Sequence, residues 1–261
     1  MKKIAVLIDF SSVSDVAIEH ASVMVRYSVS PLVLVNIAEA SEEKNEKQIK
    51  EKMKSHAGLL EKDGIPYMLK VGYGEFFTTI PKFLAENGVD LVIVGTHGIK
   101  GIADASYGLN ILRLIGSMKQ PTMIVQGHCE IPHEGYDNIL IPNIQNTDPL
   151  NHKNNIIEFA SYFNSKITVL DYLKDESKIT EAESNFKSQF GELVNSMTYD
   201  YEIISDYVHS FSRSISQYTS IEDNNLIIWT DPDGRDMFSD EDKENLILNR
   251  YGVAVLFIPR D

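Results

Sequence analysis

The chain is nearly without cysteine: Cys129 is the one thiol in 261 residues. A single thiol cannot close an intramolecular disulfide, which excludes a disulfide-stapled secreted fold and makes a reducing, cytoplasmic setting the expectation. Long apolar runs are missing as well. Ile4 to Ile8 starts like a secretion signal, but Asp9 ends the run short of the about 7–15 residues such a core needs and far short of the ~20 of a membrane span. A soluble, unprocessed chain with no membrane partner is expected. Basic residues are in deficit, 24 Lys plus Arg against 38 Asp plus Glu for a net charge of −14. A field of that sign opposes phosphodiester backbones, so no nucleic-acid partner is expected. The G-x-x-x-x-G-K-[ST] phosphate loop is absent. Seven histidines lie scattered without a Ser-His-Asp or Cys-His grouping, and the expectation is a protein that is not an enzyme.

Apolar residues, at 43% of the chain, suffice for one or two ordinary cores. An internal repeat favours two. The strand-like segments Ile4–Ile8 and Ile139–Asn143 begin 135 positions apart, as do Leu91–Val94 and Leu226–Trp229. The expected domains are residues 1–126 and 136–261, separated by the polar, Gly- and Pro-punctuated stretch 127–135. In the first, Val13, Ala17, Ala21 and Met24 mark the buried stripe of a helix, and Ile49, Met53, Ala57 and Leu60 that of another over about 42 to 61. The second reads as strands 138–144, 166–173, 199–206, 225–230 and 252–259 alternating with helices 148–163, 176–196, 211–220 and 240–249, with Thr147-Asp148-Pro149 as a helix start. Strands alternating with helices imply an α/β class, doubly wound parallel sheets covered on both faces.

The densest chemistry lies in 91–125. A buried strand, LVIV, leads into glycines spaced Gly95-x2-Gly98-x9-Gly108, then a short helix and the Pro-led strand PTMIV from Pro121. A glycine loop at the carboxyl end of a parallel strand lets backbone N–H groups approach an anion. The spacing resembles the nucleotide loop of the universal stress protein family, G-x2-G-x9-G followed by Ser or Thr. Asp9 after strand 1 is similar to the family's aspartate at the adenine and ribose pocket, and Leu34-Val-Asn-Ile-Ala-Glu39 resembles its second strand end, with Ile37 at the base-contacting position and Asn36 where His is common. The resemblance covers essentially the whole chain. It implies two tandem five-stranded parallel-sheet domains of order 3-2-1-4-5 (adenine nucleotide alpha hydrolase-like), with a cleft between strands 1 and 4 of the first. It also implies a stress-response binding or regulatory protein, with slow nucleotide turnover in some family members. The implied ligand is an adenine nucleotide such as ATP, its base near Asp9 and Ile37 and its phosphates over Gly95, His97, Gly98, Gly108 and Leu109. Leu109 replaces the family's hydroxyl, which implies weak binding. The alternative is a nucleotide-free module, both clefts vestigial, that recruits protein partners.

The second half departs further. Thr230-Asp-Pro-Asp-Gly-Arg-Asp236 replaces the glycine loop, and its carboxylates oppose a polyphosphate; no aspartate follows Ile139–Asn143. His128, Cys129, Glu130 and His133 have metal-ligand chemistry but crowd one linker without a second cluster, so no metal is expected. Lys100 is close enough to Gly98 to balance phosphate charge. Family members commonly dimerise through strand 5, which a tandem chain makes internally as a pseudo-dimer, apposing 121–126 with 253–259; a homodimer stays open as an alternative. Two separate sheets, not one continuous sheet, are expected.

Overall fold

The computed structural model describes residues 3–96, 113–144, 153–172, 180, 184, 199–204, 207–220, 223–230, 246 and 251–259. Strand β1 (Ile4–Leu7) is buried at every position, as a continuous apolar run at the centre of a parallel sheet must be. Helix α1 (Ser12–Ser28) lays the stripe Val13, Ala17, Ala21 and Met24 on the core, and ends on Val29 with φ 50°, its N–H donating to the Val25 carbonyl. Then follow β2 (Leu32–Ala38), α2 (Glu46–His56), α3 (Gly58–Lys62), β3 (Tyr67–Tyr73), α4 (Phe76–Glu86), β4 (Leu91–Thr96) and β5 (Thr122–Gln126). The single helix expected over 42–61 is instead a 3-10 turn, Ala40–Asn45, and two helices divided at Ala57, whose N–H bonds three residues back to Lys54. Its apolar stripe survives the break, since Ile49, Met53, Ala57 and Leu60 are all buried.

The second half supplies β6 (Asn138–Ile144), α5 (Lys153–Phe163), β7 (Lys166–Tyr172), β8 (Tyr199–Ile204), α6 (Tyr207–Ser220), β9 (Leu226–Thr230) and β10 (Ala254–Ile258). Helix α6 begins four residues before the expected 211. Thr147-Asp148-Pro149 and most of 176–196 and 240–249 lie outside the described residues. Among the described residues all strands join in one ten-stranded sheet, β3-β2-β1-β4-β5-β10-β9-β6-β7-β8. Pairing is parallel except between β5 and β10, where Val255, Leu256 and Phe257 face Ile124, Met123 and Thr122 antiparallel. The expected apposition of 121–126 with 253–259 is therefore present. The expectation of two separate sheets is wrong: these strands are buried along their whole length, and hydrogen bonding between them fuses the halves.

Side chains alternate across the sheet into two apolar layers that run through both halves. Ile4, Val6, Ile139, Ile141, Leu226 and Leu256 face the layer under α1, α2 and α5. Ala5, Leu7, Leu140, Ile227 and Val255 face the layer under α4 and α6. Hydrogen bonds repeat at the 135-residue offset: Asp90 N–H donates to the Lys3 carbonyl and Asn225 N–H to that of Asn138, both at 3.0 Å.

The stretch 127–135, expected as a polar linker, is partly core. Cys129 is buried, and Glu130 N–H donates to the Gly252 carbonyl. Tyr136 is fully buried between α1 and α5, packed on Phe159 and Phe163, with its oxygen 2.6 Å from His20 Nδ1 and 3.4 Å from Met123 Sδ. His20 Nε2 meets no partner among the described residues. The tautomer that leaves no buried N–H unmet has His20 Nδ1–H donating to Tyr136 and Tyr136 donating to Met123.

Burial lowers the His20 pKa from 6.5 to about 4. Between those values the unfolded chain binds the proton and the folded chain does not, so this group's contribution is complete above about pH 6.5 and lost as pH falls toward 4, roughly 3 kcal/mol in all. Urea midpoints of wild type should fall across that window, and those of His20→Asn should fall distinctly less. Equal slopes would show that His20 titrates freely in the folded protein.

Candidate functional site

Strand β1 pairs with β2 on one side and β4 on the other, with Leu7 level with Val35 and with Val94. Two residues beyond that row stand Asp9, Ile37 and Thr96, so three adjacent parallel strands bring these positions to one level at the carboxyl edge, where the strand order reverses. Crevices form at such switch points.

Each is fixed by local chemistry. Asp9 Oδ1 accepts from Ser11 N–H (3.0 Å), Ser11 Oγ (2.6 Å) and Ser14 Oγ (2.8 Å), while Asp9 N–H donates to Ser14 Oγ (3.1 Å). The carboxylate thus organises the first turn of α1, and Ser11, at the N-cap, makes no side-chain cap of its own. A negative group there also suits the helix dipole. Phe10 holds φ 67°, a left-handed conformation costly for an aromatic residue. Its ring lies under Lys52 Nζ at 4.1 Å and beside His56, whose Nδ1 is 2.6 Å from Asp15 Oδ1.

Asn36 Nδ2 donates to the Ile8 carbonyl at 2.7 Å, tying the ends of β1 and β2 together just before Asp9. Ile37 is level with Gly72, and a Cβ at Gly72 would sit 2.6 Å from Ile37 Cδ1. Gly74 has φ 140° and donates to the Ala38 carbonyl, after which Glu75 caps α4 by accepting from Thr78 N–H at 2.8 Å. The Gly72-x-Gly74 pair therefore serves packing and a turn.

Gly95 answers to a backbone contact. A Cβ there would lie 2.5 Å from the Val13 carbonyl oxygen, so glycine is what lets the first turn of α1 close on the end of β4. Thr96, which sequence reading passed over, is buried, and its Oγ1 has no partner among the described residues; the available signal was a hydroxyl between two motif glycines. His97, Gly98, Gly108 and Leu109, with Lys100, lie outside the described residues, as do Asp231, Asp233 and Asp236.

The corresponding point of the second half is built differently. Strand β6 carries Pro142, which has no N–H to donate, and its pairing with β9 stops after Ile139↔Leu226 and Leu140↔Ile227, where β1 and β4 share four pairs. Trp229 is buried against Phe257 there, ring centroids 5.3 Å apart. Cys129 turns its thiol into the core, away from exposed His128, Glu130 and His133, with Sγ accepting from Gln126 N–H, and burial pushes its pKa up to about 12. Among the described residues no group of three His, Cys, Asp or Glu side chains is placed to hold a metal, and no helix is long and apolar enough to cross a membrane.

Residues 1–126 match the Universal stress protein family. Over its whole length the fold is similar to that of a universal stress protein from Archaeoglobus fulgidus, with TM-score 0.72 and 13% identity, covering 99% of this chain and 98% of the other. A putative universal stress protein from Pseudomonas aeruginosa superposes with TM-score 0.68 and 13% identity over 100% and 94% of the two chains. A functionally unknown protein from Pseudomonas aeruginosa follows at 0.67 and 11% over 100% and 93%. At such identities the likeness is one of fold. No curated protein matches the sequence.

Gly95→Ala should destabilise the protein by roughly 1–3 kcal/mol through overpacking on Val13, whereas Gly58→Ala, where a Cβ meets nothing within 4 Å, should be neutral or slightly stabilising; urea midpoints of the two variants check this. Cys129 should react with a thiol reagent in the folded protein far more slowly than in urea, because the thiolate is the reactive form. Equal rates would place the thiol at the surface.

Proposed function

We propose that this protein is a tandem universal stress protein, built of domains 1–126 and 136–261, whose first half binds an adenine nucleotide weakly and reports or sequesters it. The observation that carries the reading is the convergence of Asp9, Ile37 and Thr96 at the switch point between β1 and β4, with the buried Thr96 hydroxyl lacking a partner among the described residues. Gly95 draws the α1 N-terminus to the same edge, and helix N-termini favour anions. The glycine spacing Gly95-x2-Gly98-x9-Gly108 continues from that edge. Base and ribose lie toward Asp9 and Ile37, phosphates over the amides of Gly95 to Gly98 and of Gly108-Leu109, with ATP the reference ligand. Asp9 acts through its backbone-fixing carboxylate, so its loss disorders the pocket as well as removing a contact.

The second half binds no nucleotide in this reading: Pro142 shortens the matching strand pair and Asp231, Asp233 and Asp236 oppose phosphate. Binding in a cytoplasmic setting, without catalysis, is the role proposed, and the fused β5–β10 edge is an internal pseudo-dimer. Leu109 favours one competing reading, a nucleotide-free module that recruits protein partners. Slow ATP hydrolysis is a third reading, tested by product analysis with the divalent metal varied.

Calorimetric titration of ATP into wild type, Leu109→Ser and Gly98→Val tests the proposal. A hydroxyl hydrogen-bonding phosphate is worth roughly 1.5–3 kcal/mol, so Leu109→Ser should tighten binding by about one to two decades and Gly98→Val should abolish it. Saturation at 100 times the dissociation constant would add about 2.7 kcal/mol of stability. No heat and no thermal shift with any of the three at millimolar ATP would leave the interaction module as the reading.

A further inference from the structure

Strand β3 (Tyr67–Tyr73) is outermost among the described strands on its side of the sheet. The Gly74 N–H donates to the Ala38 carbonyl on β2, which fixes the direction of every backbone group before it. These groups alternate sides along a strand. Met68, Lys70 and Gly72 therefore turn theirs toward β2, and Tyr67, Leu69, Val71 and Tyr73 turn theirs outward. Among the described residues no hydrogen bond reaches those outward backbone groups. The side chains of the same four residues lie against the layer under α2 and are only partly buried.

Charge is sorted along this edge. Beside it, an open groove of about 460 Å3 is lined by Leu69 and by Glu46, Lys47, Lys50, Glu51 and Lys54 of α2. Lys50 is bound by Glu46 at 2.6 Å and Lys54 stands 3.8 Å from Glu61. Lys47 makes no ion pair or hydrogen bond among the described residues. At the carboxyl end of the strand, the Tyr73 pKa is raised by burial and by the carboxylates of Glu46, Glu43 and Glu42. Glu42 and Glu43 are exposed and make no ion pair among the described residues. Unpaired carboxylates thus stand near Tyr73 and an unpaired ammonium group beside Leu69.

We propose that the outer edge of β3 is a self-association surface for a second copy of this chain, paired antiparallel about Val71. Hydrogen-bonded pairs in such a ladder need outward groups on both sides. Val71 against the second copy's Val71, and Leu69 against its Tyr73, meet that need. A centre at Lys70 would set two ammonium groups opposite each other, a repulsive pair. A centre at Leu69 would carry Glu42 and Glu43 toward Glu61, which Tyr67 Oη holds at 2.8 Å beside the strand start. The Val71 centre instead places Lys70 opposite Gly72, where no side chain stands, and leads Glu42 and Glu43 of each copy to the groove at Lys47 of the other. Partly exposed Leu69, Val71 and Tyr73 are covered in the same step.

The contact repeats between copies what β5 and β10 do within the chain, where parallel blocks are joined by one antiparallel step. It is isologous and closes at two copies. A strand of seven residues with one flanking groove makes a small interface, so association is weak and follows concentration. The surface includes no residue assigned to the nucleotide, and it stands apart from that reading.

Sedimentation equilibrium of the full-length protein at up to about 0.5 mM should show monomer and dimer in exchange. Val71→Pro removes an outward N–H and no bond to β2, so it should weaken association at least about tenfold with the fold retained by circular dichroism. Two exposed-charge variants serve if that proline disturbs folding. The double variant Lys47→Glu, Lys54→Glu and the double variant Glu42→Lys, Glu43→Lys should each self-associate more weakly than wild type at low salt, because like charges then meet across the two-fold. An equimolar mixture of the two should associate as wild type does, although both proteins remain acidic overall. A monomer at every concentration overturns the proposal. So does a dimer that survives Val71→Pro, or a mixture that associates no more strongly than its components.

Discussion

Two strands with every side chain buried cannot end a sheet in water. Each of β5 and β10 has one parallel neighbour and a second edge whose N–H and C=O groups would go unpaired, at a cost of about 1–3 kcal/mol for each group buried without a partner. Their antiparallel pairing removes both edges together, and much else depends on it. It sets the halves about an approximate two-fold, makes each apolar layer continuous through the molecule, and brings α1 against α5. Tyr136 is then enclosed by both helices, and among the described strands the outermost are β3 and β8.

The same near-symmetry makes the differences between the halves informative. At the first switch point β1 pairs fully with β4, Asn36 ties the strand ends, Asp9 organises the turn, and glycine at position 95 lets α1 close on β4. At the second, Pro142 ends the β6–β9 ladder early and Trp229 fills space with an aromatic ring. One scaffold is thus kept while the carboxyl edge of the second half's sheet is built with residues that pack.

Much of the fold was legible because burial imposes periodicity. The runs Ile4–Leu7 and Leu91–Val94, the stripe from Val13 to Met24, and the 135-residue offset each follow from a side chain having to face either core or water. Helix interruption at Ala57 was not legible, because a break that preserves the apolar stripe leaves no trace in the pattern. Cys129 and Tyr136 were hidden by a polar, Gly- and Pro-bearing context that reads as linker. Gly95 was found for its motif spacing, yet the contact that requires glycine there, the Val13 carbonyl, lies on another element. Thr96 passed unnoticed for a similar reason: a hydroxyl draws attention only once its burial is known.

By itself the sequence determined the alternation of strands and helices, the repeat, and the glycine spacing after β4, since these rest on local periodicity and on backbone freedom at single residues. It also contained the apposition of 121–126 with 253–259 as an expectation from resemblance. The tertiary structure decided that this apposition is a hydrogen-bonded pair that turns two sheets into one, because pairing depends on two edges meeting in space with matched register. It likewise decided which polar groups are buried, since His20, Thr96 and Tyr136 acquire their surroundings from elements far away in the chain.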